Sequence, residues 1–202
     1  LTATGLFWSA GAGAQKKPLP PVVDVHTHLI GKPPVLPSAI KVAESFLARY
    51  PIEKMVLSHT PAGGKNVMYK FFALKRFLQG KDRFAFLGGG GSLNPMIHRH
   101  DADSGDHKNL VEEFDKIADT IILAGGAGYG EMSSLHISVM PGHEYNFQPA
   151  DHPLFRRLAD IAARHDVPIE LHNDAVVGIF PAPRGLRHND NPGNFPGTIK
   201  SL

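Results

Sequence analysis

The sequence predicts an α/β protein built on a parallel sheet, an incomplete (β/α) barrel holding about five of eight βα units. Three observations carry this expectation. Runs of β-branched and apolar residues that read as strands start near residues 22, 54, 84, 127 and 168. Stretches with apolar residues at helical spacing alternate with them, and each step has the size of one strand plus one helix. Polar and histidine residues gather at the carboxyl ends of these strands, which is where an α/β barrel builds its site. A full barrel takes about 250 residues, so a chain of 202 is expected to hold the N-terminal part of one over residues 15–202.

The first strand, Val22 to Leu29, follows Pro20-Pro21, which blocks any helix from running into it. A helix capped by Ser38 runs through Arg49 with Ile40, Ala43, Phe46 and Leu47 inward, and Pro51 ends it. Glu53 to Thr60 is the second strand. Asn66 to Gln79 is the second helix, with Gly80 just past its end. Phe84-Ala85-Phe86-Leu87 is the third strand and runs into four glycines, Gly88 to Gly91. Ser92 to Asp106 is polar and reads as loop; Asn109 to Ala118 reads as helix, and Ala127 to Met132 as the fourth strand. After a further loop Asp151 caps a helix over His152 to His165, and Val167 to His172 is the fifth strand. Asn173 to Pro196 reads as loop, with a helix beginning at Thr198.

Composition narrows the function classes. The 21 Lys plus Arg nearly balance 19 Asp plus Glu, and no run of one sign advertises a nucleic-acid or anionic-membrane surface. The chain has no cysteine, so disulfides, thiolate ligands and a cysteine nucleophile are excluded, and any metal must be held by nitrogen and oxygen. Residues 1–14 are apolar and rich in small residues and end in Ala12-Gly13-Ala14, like the latter part of a secretory signal peptide; a periplasmic or secreted protein is expected, and the segment is too short to span a membrane.

The chemistry concentrates on His26 and His28. Alternate residues of a strand share a face, so these two imidazoles aim at one point, with Asp24 behind them as a candidate partner for the rings. Neutral imidazole is the commonest metal ligand, and two on one rigid strand make half of a zinc-type site. By the same alternation Glu131 shares a face with Tyr129, and His172 with Glu170. His59 closes the second strand at the same rim and reads equally as a candidate substrate contact or as a hydrogen-bonded structural histidine. A second His-x-His, His98-Arg99-His100, lies in a predicted loop with nothing rigid to hold both rings. The glycines at 125–130 lack a dinucleotide fingerprint, because Glu131 stands where its third glycine belongs and would repel a pyrophosphate.

Asp24-Val25-His26-Thr27-His28-Leu29, Gly128-Tyr129-Gly130-Glu131-Met132 and His152-Pro153-Leu154-Phe155 through Pro168-Ile169-Glu170-Leu171-His172 together resemble the amidohydrolase superfamily, in its amidohydrolase-related branch of metal-dependent barrels. The resemblance spans roughly residues 20 to 202. It implies that His26 and His28 bind a first divalent ion, zinc before others, that Glu131 bridges to a second, and that His172 completes the second site. The family's sixth-strand histidine and eighth-strand aspartate have no matching position; His188 sits in a Gly/Pro/Asn-rich loop. The expected function is metal-dependent hydrolysis of a small polar substrate carrying an amide, ester or lactone bond. The alternatives are a metal-dependent decarboxylase of the same superfamily and a non-catalytic partial barrel, whose open sheet edge predicts aggregation or a homo-oligomer.

Overall fold

The computed structural model of the chain describes residues 20–29, 36–61, 68–99, 107–139, 144–187 and 191–198. It is an α/β fold on a mostly parallel sheet. In chain order the elements are β1 (Val22–His28), α1 (Leu36–Arg49), β2 (Ile52–Ser58), α2 (Met68–Leu78), β3 (Phe84–Gly89), α3 (Leu93–Arg99), α4 (His107–Leu123), β4 (Gly128–His136), β5 (Asn146–Phe147), α5 (Pro153–His165), β6 (Ile169–Asn173), β7 (Phe180–Pro181) and β8 (Asn194–Phe195). The five predicted strands are β1, β2, β3, β4 and β6. They lie in sequence order, each parallel to the next, with β4 between β3 and β6. The helices between them follow from the need of parallel neighbours for a crossover connection.

Tyr129 pairs with Ile169 of β6 and Gly128 to Gly130 pair with β3, so these two neighbours take opposite edges of β4. Past Gly130 the β3 edge is taken over by other groups. Ser133 donates its backbone N–H to Asn94 Oδ1 (2.8 Å), and its carbonyl accepts from His98 Nε2 (2.7 Å), both on α3. Leu135 and His136 then pair with the antiparallel strand β5. The segment around His98, expected to be loop, is therefore a short helix through Arg99, and its histidine is spent on the backbone of β4. Burial lowers the His98 pKa, against the weaker upward pull of the Ser133 carbonyl. The remaining members of that second His-x-His, His100 to Asp106, lie outside the described residues, as do His188 and all of the helix expected from Thr198 except Thr198 itself, which is not helical.

The main core joins Leu57, Phe86, Leu93, Ile97, Phe114, Ile121, Tyr129, Met132, Leu154, Leu158 and Ile161. Helix α5 is the best specified element. Its apolar residues Leu154, Phe155, Leu158, Ile161 and Ala162 are all buried at helical spacing. Its N-cap is His152, whose Nδ1 accepts the Leu154 N–H at 3.2 Å, rather than Asp151. Pro153 sits at the first helical position, and a proline there makes its predecessor the cap. Asp166 ends the helix in the left-handed conformation. Arg157 forks onto Asp115 and His165 contacts Asp119 at 2.8 Å, tying α5 to α4.

The segment after β6, expected to be plain loop, carries its own small core of Leu135, Val176, Ala182 and Phe195 around the two-stranded pair β7 and β8. Thr198 anchors it, accepting the Val176 N–H (2.8 Å) and donating to the Asp174 carbonyl (3.0 Å). Asn191 holds Ser138 by both its backbone groups.

Candidate metal centre

His28 ends β1 opposite Ser58 in register and donates its Nδ1–H to the Ser58 carbonyl at 3.0 Å. A carbonyl accepts only, so this bond places the proton on Nδ1 and leaves Nε2 facing Glu131 Oε2 at 3.1 Å. A neutral ring would aim a lone pair at a carboxylate there. The contact is favourable only with a cation at that position, either a proton on Nε2 or a metal ion bound between the two groups. Histidines that ligate metals show the same pattern, giving their second ring N–H to a carbonyl or carboxylate. The separation is close to the ~3.3 Å expected between two ligands of a tetrahedral zinc with bonds of about 2.0–2.1 Å.

His26 lies beside His28, ring centroids 4.6 Å apart and nearly perpendicular. His26, His28 and Glu131 bring one ligand atom each within 4.8 Å of one another. This is the set of nitrogen and oxygen donors that a divalent cation takes in a chain without cysteine. Glu131, only 4% exposed, also receives His172 Nδ1 on Oε1 at 2.6 Å, so one carboxylate joins strands β1, β4 and β6. Burial pushes Glu131 up, yet the hydrogen bonds from His172 and His28 hold it at about 2. The same bonds, each the largest influence on its imidazole, raise His28 and His172 above the ordinary value.

These contacts measure the curvature of the sheet. In a flat sheet β1 and β4 would stand three strand spacings, about 14 Å, apart, farther than two side chains span. Direct contact of His28 with Glu131, and of His26 with Glu170 one strand beyond, requires the sheet to curl so that its carboxyl ends converge.

Three of the four predicted ligands, His26, His28 and Glu131, are thus brought within reach of one another, His172 joins them through its bond to Glu131 Oε1, and the rest of the expectation is corrected in two places. Asp24 does not touch the rings; its Oδ1 accepts the His26 backbone N–H (3.1 Å) and its Oδ2 the Thr27 hydroxyl (2.8 Å), which shapes the strand end. The carboxylate on the His26 ring is Glu170, at 2.5 Å from Nδ1. Tyr129 and Glu131 do not share a face. The register with β6 is irregular between Tyr129 and Met132, a bulge that changes the phase of alternation. Tyr129 then points to α4 and donates its hydroxyl to the Ala118 carbonyl (3.1 Å), while burial pushes its pKa up to about 12. His59 stands at the rim as expected, but its described bonds are internal: its carbonyl accepts the Glu131 N–H (3.0 Å) and its Nδ1–H goes to the Thr60 carbonyl (2.5 Å).

Two neighbours were missed. Asp174, the residue after β6, places Oδ2 at 3.5 Å from His172 Nε2, and the His136 ring lies edge-on to His172 at 5.0 Å. The period of two that placed His172 inward also places Glu170 and Asp174 inward, so that signal was present. Three buried side-chain polar atoms that lack a hydrogen bond among the described residues lie on β2, β4 and β6: Ser58 Oγ, Ser133 Oγ and Glu170 Oε2. Buried polar groups are nearly always paired, so their concentration here fits a site shaped for a polar ligand.

Comparison with protein-family models, with curated proteins and with solved structures gave no match.

Proposed function

We propose that the chain forms the first five strands of a (β/α) barrel of the amidohydrolase type and that His26, His28 and Glu131, joined by His172, hold one or two divalent ions, zinc first among them. The observation that carries this reading is His28, whose Nδ1–H is committed to the Ser58 carbonyl while Nε2 faces the buried Glu131 carboxylate. When bound, such an ion lowers the pKa of water toward neutrality and polarises a carbonyl or ester oxygen, which is the chemistry of hydrolysing a small amide, ester or lactone. The chain's own groups do the rest. Glu131 offers one carboxylate oxygen to His28 and the other to His172, so both imidazoles are oriented toward the position an ion would take.

The test is metal content. Purified protein is expected to carry or take up stoichiometric zinc, and the His26→Ala, His28→Ala double variant to fall to background; unchanged content in the double variant removes the reading. Product analysis with carboxylated aromatics against amides, esters and lactones separates decarboxylation from hydrolysis. The non-catalytic reading is favoured by one observation: β1 leaves Val22, Val23 and Val25 exposed, and β6 leaves Leu171 45% exposed. A monomeric protein with a cooperative melt would count against the aggregation or oligomerisation that such surfaces predict. Among the described residues no helix is long and apolar enough to cross a membrane.

A further inference from the structure

Glu170 is a carboxylate for which neither the histidine pair nor the Glu131 bridge gives a reason. It stands on β6, its side chain 19% exposed, with Oε1 at 2.5 Å from His26 Nδ1 across 144 residues of sequence. Room for it is made by β4: a Cβ on Gly130 would fall 2.8 Å from Glu170 Oε2 and 2.9 Å from Glu170 Cβ, closer than real contacts allow. The glycine directly before the bridging carboxylate therefore serves Glu170. The two histidines of β1 are also held differently, since His28 gives its Nδ1–H to a backbone carbonyl and His26 faces a side-chain carboxyl group.

We propose that Glu170 is the positioning residue for His26: Oε1 accepts the Nδ1 proton, fixes the ring's orientation and leaves Nε2 as its only lone pair for the cation site. The proposal rests on the metal reading above for its consequence, but the tautomer itself does not depend on metal. A carboxylate behind a ligating imidazole increases its basicity as well as orienting it, and loss of such a partner typically weakens metal binding 10–100-fold. Asp24, the nearest acid in sequence, does not take this role; its oxygens accept the backbone N–H of His26 and the hydroxyl of Thr27.

Nitrogen-15 chemical shifts of the His26 ring, recorded on metal-free protein at mildly alkaline pH, read the tautomer directly. The wild type is expected to hold the Nδ1–H form. Glu170→Ala should release the ring to a mixture with the Nε2–H form, whereas Glu170→Gln, whose amide oxygen still accepts, should keep Nδ1–H; Asp24→Ala should not change it. In parallel, zinc titrated against a competing chelator should bind 10–100-fold more weakly to Glu170→Ala and lose little in Glu170→Gln. An Nε2–H ring in the wild type overturns the proposal, and so does a Glu170→Ala protein with unchanged tautomer and zinc affinity. A wild type that holds the Nδ1–H form through Glu170 but takes up no zinc overturns the metal reading and leaves the positioning role standing.

Discussion

Strands β1 and β4 both bring candidate ligands to the same cluster, yet they are held in opposite ways. Every residue of β4 from Gly128 to Leu135 is buried, flanked by β3 and β6 and backed by α4 through the Tyr129 hydroxyl. In β1 no residue is fully buried, Val25 is 66% exposed, and β2 is its sole strand neighbour among the described residues. The cluster of His26, His28 and Glu131 therefore spans a rigid half and a loosely covered edge. Stability of the fold should come from the first, and responsiveness to ligand from the second.

The largest expected effect lies in the rigid half. Leu158 on α5 is fully buried, and Leu158→Ala should destabilise by about 2–5 kcal/mol through lost burial and the cavity left behind, read as a lower denaturation midpoint. If the loss were no greater than for an edge residue, the division into two halves would be wrong.

Gly130→Ala comes next, at about 1–3 kcal/mol for overpacking, because the new methyl meets Glu170 and also Leu87 Cδ1 at 3.0 Å. It should lower zinc affinity along with stability, as a substitution in the α4–α5 packing should not.

A pH scan sharpens the comparison at the junction itself. The pKa of Glu131, though burial pushes it up, is held at about 2 by His172 and His28, so its stabilising contribution is present above its ordinary 4.5 and disappears as pH falls toward about 2. His28 and His172 are raised, so theirs is complete below the ordinary 6.5 and fades as pH climbs through their higher folded values. Metal-free protein should accordingly melt highest between those limits and lose a few degrees on the alkaline side. If zinc is held here as proposed, it would compete with the same protons, and the stabilisation it adds should grow as pH rises. A zinc effect independent of pH would separate the ion from these histidines. Smallest of all, Val25→Ser on the open face of β1 should change stability by no more than about 0.5 kcal/mol, checked by the same denaturation curve.

Much of this is legible in the sequence. The five parallel strands and their order followed from the spacing of apolar runs, and the inward phase of His26, His28 and His172 followed from alternation on short strands. The alternation rule failed where a strand is irregular: the bulge in β4 put Tyr129 and Glu131 on opposite faces, which no local pattern announces. Helix α3 escaped notice because Pro95 and the polar residues around it read as loop, although Leu93, Met96 and Ile97 have helical spacing and a proline is tolerated in a first turn. Glu170 was placed on the correct face without a role, since its partner is 144 positions away and only the curl of the sheet brings them together.

That curl has a consequence for the order of events during folding. Contacts inside one βα unit form early because little chain must be closed to make them, whereas the meeting of residue 26 with residue 170 encloses most of the molecule. The clasp between the two outermost parallel strands can shut only after every intervening unit has docked, so an ion captured there would report a finished sheet, and a slow last step in acquiring it would time the arrival of β6.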